Sequence, residues 1–188
     1  MRDPIARATC AATAARDAEG VVRDRKAILQ ATLGQRTIPL PPDALEPGAE
    51  QFFVAGGFFV PPDRRHQMLV GNTGFPPDQK RLLIPIDGGH PGRVIASGKP
   101  LLLHDTRDHP DFRQYLCTTR MGSAIYAPLF DGRMPIGLVI VAAKAFGTLH
   151  QGDLDALVAV ADVVGPRWRV QGGPDWLARA YDRVAPPA

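Results

Sequence analysis

In "DGGHPGRVIASGKPLLLHD", residues 87–105, glycine and proline leave the chain few options. Gly88 and Gly89 free the backbone ahead of a short helix. Pro91 suits a first helical turn, where its missing amide would have had no partner, and Gly98 suits the left-handed position that ends a helix. Pro100 bars continuation, and "LLLHD" reads as a buried strand. Glycines before a helix can also cradle a phosphate on free backbone amides. Pro91 deletes one of those amides, and no Lys-Ser/Thr pair follows as in a P-loop. The stretch is therefore a corner leading into a helix, not a phosphate cradle.

The flanking sequence supplies a sheet. "FFVAGGFFV" is aromatic and β-branched apart from Gly56 and Gly57, which imply a bulge or a close backbone approach. "PPDR" turns the chain, "RHQMLVG" returns as the second arm of a hairpin, and "RLLIPID" is a third strand. "HPDFRQYL" reads as a short helix starting after Asp108 or His109. "SAIYAPLF" alternates as a strand, Asp131-Gly132 turns it, and "PIGLVIVAA" is a nearly continuous apolar strand, central in the sheet. "HQGDLDALVAVADVVG" is a helix with Leu154, Leu157, Val158, Ala161 and Val164 on one face, ended by Gly165-Pro166.

Four segments follow from this reading. Residues 1–34 hold an N-terminal helix over 4–33, with an alanine-rich stripe that suits packing on its own domain or a dimer seam equally. Residues 35–47 are a proline-rich linker. Residues 48–168 form the main domain. Residues 169–188 are a tail whose short amphipathic helix places Trp176, Leu177, Ala180, Tyr181 and Val184 on one face, to pack on the domain or meet a partner.

Composition excludes several function classes. Apolar residues make up 45% of the 188, enough for a globular core. The net charge of +3 is small and the arginines are scattered, so nucleic acid is not a partner. No apolar run approaches the roughly 20 residues that span a bilayer, and the N-terminus lacks a secretory core. The two cysteines, Cys10 and Cys117, make neither a disulfide framework nor a zinc site. The expected location is cytoplasmic.

The order Gly89-x-x-Gly92, Gly98-x-Pro100, Asp105, Ser123, Pro128-Leu129, Gly132 and Ile136-Gly137 resembles the GAF domain over about residues 48–168. The resemblance implies an α/β (α+β) fold: a six-stranded, mostly antiparallel sheet, helices on one face and a small-molecule pocket on the other. It implies a sensory or ligand-binding role without catalysis, assembly as a homodimer through terminal helices, and output to a protein partner in trans. It names no cofactor. Where cyclic-nucleotide-binding members carry Asn-Lys, Phe and Asp-Glu, this chain keeps Lys144 and Asp153 but has Ala143, Leu149 and Leu154, a departure from that ligand class.

The implied pocket lies between the sheet and the segment Asp105 to Ser123. Asp105 and Ser123 supply polar groups at its two ends. Phe112, Tyr115, Met121 and Tyr126 supply walls, with Tyr126 on the same side of its strand as Ala124. Arg113 and Arg120 at the edge suit a carboxylate or phosphate; core aromatics and solvated arginines fit the pattern equally. Cys117 lies six positions before Ser123, where free methionine-(R)-sulfoxide reductases built on this domain place a reactive cysteine. Their further cysteines are missing here, so Cys117 is expected to line the pocket or the core rather than react. A third reading is a structural or regulatory subunit with a closed pocket. The five histidines show no helical i, i+4 pair and no acidic or thiol cluster, so no metal site is expected.

Overall fold

The computed structural model describes Leu33, residues 40–107, His109 and residues 120–184. Of the helix expected over 4–33, only Leu33 falls among them; it is helical and buried in the core. The short helix expected after Asp108 lies outside the described residues.

The chain forms a six-stranded sheet in the order β3-β2-β1-β6-β5-β4. The strands are β1 Phe53–Phe59, β2 His66–Thr73, β3 Leu83–Pro85, β4 Leu101–Leu103, β5 Ser123–Asp131 and β6 Met134–Ala143. All five neighbouring pairs are antiparallel. "PIGLVIVAA" is central as expected: β6 pairs with β1 and β5. Of the two alternatives for the glycines of β1, the bulge is present, and Gly56 makes room for a side-chain ring. The β1–β2 register shifts between Gly57 and Phe58, and a Cβ on Gly56 would lie 2.8 Å from the Phe75 ring.

Alternation divides the sheet residues between two cores. Phe59, Met68, Ile125, Leu129, Val139 and Val141 meet Leu157, Val164, Trp168 and Leu177 of two helices, α2 Gln151–Val170 and α3 Gly173–Tyr181. The intervening Phe58, Leu69, Tyr126, Leu138 and Ile140 face the other way, where Val94 and Ile95 of α1 Gly89–Ser97 join them.

The corner at 87–92 is a packing device. A Cβ on Gly92 would sit 2.3 Å from the Asp87 backbone, so only glycine lets α1 start this close to the strand it leaves. Gly98 caps α1 in the left-handed region at φ 62°, its amide donating to the Val94 carbonyl.

Contrary to the sequence expectation, Gly165-Pro166 does not end α2, which continues to Val170. Gly165 marks a close approach instead: a Cβ there would lie 2.5 Å from the Phe130 carbonyl oxygen. Pro166 and Asp162, whose carbonyl loses its helical partner, are both exposed, so water replaces the missing bond. The extra turn buries Trp168. α3 packs on its own domain through Leu177, with Trp176 and Ala180 partly buried beside it.

Candidate functional site

The α1 face of the sheet holds the candidate site. Ala124 pairs with Ala142 across β5 and β6, Tyr126 pairs with Ile140, and Leu103 of β4 lies opposite Ala124. The two alanines give a low floor between larger neighbours. Tyr126 shares this side with Ala124, as the period of two requires. It is 6% exposed. Burial raises its phenol pKa, so the hydroxyl stays protonated.

Above the floor stands His90 in the first turn of α1. It is 2% exposed, and its ring centroid lies 6.1 Å from that of Tyr126. Nε2 of His90 and Nδ1 of His109 are 2.8 Å apart, with the rings edge to face at 4.4 Å. His109 is half-buried. No sequence pattern signals this contact, because it is made through space between residues of no shared periodicity.

The residues named from sequence fall into three groups. Tyr126 and Met121 lie in the core cluster of this face. Phe112, Arg113, Tyr115 and Cys117 lie outside the described residues. Ser123, Asp105 and Arg120 have other work. Ser123 is fully buried, on the α2 side of β5 with Ile125, and its hydroxyl donates to the Ala145 carbonyl at 3.0 Å. It braces the end of the sheet and does not line the α1 face, which corrects the sequence expectation. Asp105 is exposed and clasps Arg107, accepting from its backbone amide at 2.8 Å and from its guanidinium at 2.5 and 2.9 Å. These bonds, first among them the guanidinium's, hold its carboxyl below the usual range. Arg120 donates to the carbonyls of Thr106 and Arg107.

Arg107 and Arg120 border a cleft of about 720 Å³, with Leu40, Pro41, Ala44 and Phe146 on its walls. The Arg107 guanidinium stacks 3.9 Å over the Phe146 ring. Of the two residues retained from the cyclic-nucleotide-binding pattern, Lys144 and Asp153, the second is buried as a helix cap: its carboxylate accepts from the His150 amide at 2.9 Å. Among the described residues no helix is long and apolar enough to cross a membrane.

Comparison with known proteins agrees with this architecture. The GAF domain family model matches residues 44–166. A search of curated proteins finds no match. Among solved structures, the GAF domain of an Acinetobacter phosphoenolpyruvate-protein phosphotransferase superposes with a TM-score of 0.73 at 12% identity, covering 91% of this chain and 93% of that one. The Neisseria meningitidis free methionine-R-sulfoxide reductase, solved with its substrate, gives 0.68 at 19% identity, covering 90% and 88%. The GAF domain of a Coxiella burnetii phosphoenolpyruvate-protein phosphotransferase gives 0.70 at 16% identity, covering 96% and 95%. At these identities the likeness is one of fold.

Proposed function

The chain belongs to the GAF domain family, and from that membership we propose that it is a sensory protein binding a small molecule on the α1 face of its sheet. One observation carries the reading. The Tyr126 side chain is buried beside the low Ala124–Ala142 floor, and burial keeps its phenol protonated. A protonated phenol can donate a hydrogen bond to an acceptor atom of a ligand. The two small alanines keep the floor beside that phenol low. The mixture of apolar floor and few polar groups suits a small organic ligand.

The test is a thermal-shift screen of a metabolite library against the full chain and Ala124→Trp, with circular dichroism confirming that the variant folds. The reading expects a compound that raises the wild-type midpoint and leaves the variant's unchanged. A library that moves neither protein, or both alike, overturns it.

A second reading is favoured by the likeness to the Neisseria reductase. In it Cys117 attacks the sulfur of free methionine sulfoxide, takes up its oxygen as a sulfenic acid and releases methionine, and two external thiols then return it to the thiol, leaving as a disulfide and water. Turnover with a thiol reductant, lost in Cys117→Ser, would establish that reading in place of the first.

A further inference from the structure

We propose that His90 and His109 form a two-imidazole site for a borderline divalent cation of the Zn²⁺, Co²⁺ or Ni²⁺ type. The site stands on the histidine pair alone and does not require an organic ligand. Nε2 of His90 and Nδ1 of His109 converge to 2.8 Å. Metal–imidazole bonds of about 2.0–2.1 Å at a tetrahedral angle place two ligand nitrogens about 3.3 Å apart. The rings therefore separate by roughly half an ångström to admit a metal.

The supports differ in a useful way. His90 is buried, and its helix is locked at its start by the contact of Gly92 with the Asp87 backbone. His109 is half-buried, on the chain that leaves β4. One ligand is thus fixed and the other sits nearer the surface, where a cation can enter.

The proton balance is simple. In the metal-free neutral pair one facing nitrogen carries a hydrogen and donates it to the other. On binding, that hydrogen passes to the outer nitrogen of its own ring. Both facing lone pairs then serve the metal, and no net proton is released. Imidazole pairs suit Zn²⁺, Co²⁺ and Ni²⁺, whereas Mg²⁺ and Ca²⁺ prefer oxygen. No group of three His, Cys, Asp or Glu side chains is arranged for a metal among the described residues. Two described ligands leave other coordination positions to water or to donor atoms of a bound molecule.

A control is built into the chain. His104 and His150 also lie near each other, but their rings are 5.9 Å apart and both residues are exposed. The experiment uses tag-free, chelator-stripped full-length protein titrated with Zn²⁺ by calorimetry, with Co²⁺ absorption as a second readout. The expected result is one Zn²⁺ per chain, lost in His109→Asn and kept in the His104→Asn/His150→Asn double variant. His90→Asn should lose it too. If removing the buried ring unfolds that variant, the half-buried His109→Asn decides. Absence of binding, binding unchanged in His109→Asn, or loss in the double variant overturns the site. Because the probe is the metal alone, failure here leaves the sensory reading untouched; a metabolite shift that persists with chelator supports that reading separately.

Discussion

The rings of Phe59 and Trp168 stack with their centroids 4.0 Å apart and their planes 24° from parallel. Phe59 ends β1, and Trp168 lies beyond Pro166, so α2 must continue past that proline for the rings to meet. The edge of Trp176 packs on Trp168 at 5.8 Å, and a Cβ on Gly173 would collide with the same indole. Trp168 therefore ties sheet, α2 and α3 together. Trp168→Ala should lower unfolding free energy by about 3–5 kcal/mol in a denaturant titration. A loss under about 1 kcal/mol would mean that α3 is not held by this contact.

Two glycines of α2 should respond oppositely to the same change. A Cβ on Gly152 would have nothing within 4 Å, and its φ is not positive, so Gly152→Ala should stabilise by about 0.4–1 kcal/mol. At Gly165 a methyl meets the Phe130 backbone at 2.5 Å. Gly165→Ala should destabilise by about 1–3 kcal/mol as helix and strand are pushed apart. Thermal or denaturant unfolding of both variants checks the pair, and equal signs would contradict the packing described.

These glycines also show what is legible in the sequence. The strands are, because alternation and aromatic content report a two-sided sheet directly. Gly165-Pro166 reads as a stop, since local propensity cannot see Phe130 on the neighbouring strand. Ser123 reads as a polar end of the pocket, although its parity with Ile125 already sets it on the face opposite Ala124. The Tyr126–Ala124 relationship follows from the strand period alone. The His90–His109 contact is not readable, because it depends on how the corner and the chain after β4 meet in space.

Tyr181 of α3 reaches the β1–β2 turn. Its hydroxyl donates to Asp63 Oδ2 at 2.6 Å, and His66 Nδ1 lies 2.7 Å from the same oxygen. Partial burial pushes the Asp63 carboxyl up, but the hydrogen bonds from Tyr181, His66 and the Arg65 amide outweigh it, and its pKa is lowered from 3.8. A lowered folded pKa contributes stability that is complete above the unfolded value and disappears as pH falls through the folded one. The stability advantage of wild type over Asp63→Asn should thus be present near neutrality, at no more than about 1 kcal/mol, and vanish in acid below pH 3.8. Denaturant titrations at several pH values test this; an advantage that persists unchanged in strong acid would contradict it.

The central claim is that the Ala124–Tyr126 side of the sheet receives the ligand. Backbone amide NMR of isotope-labelled protein, titrated with the compound that shifts the melting midpoint, tests it most directly. The expected perturbations concentrate at Leu103, Ala124, Tyr126, Ile140, Ala142 and His90, with Tyr126→Phe weakening affinity while changing stability by less than about 1 kcal/mol. Perturbations concentrated on α2 and α3, or around Ala44, Arg107 and Phe146 in the cleft bordered by the arginines, would contradict it.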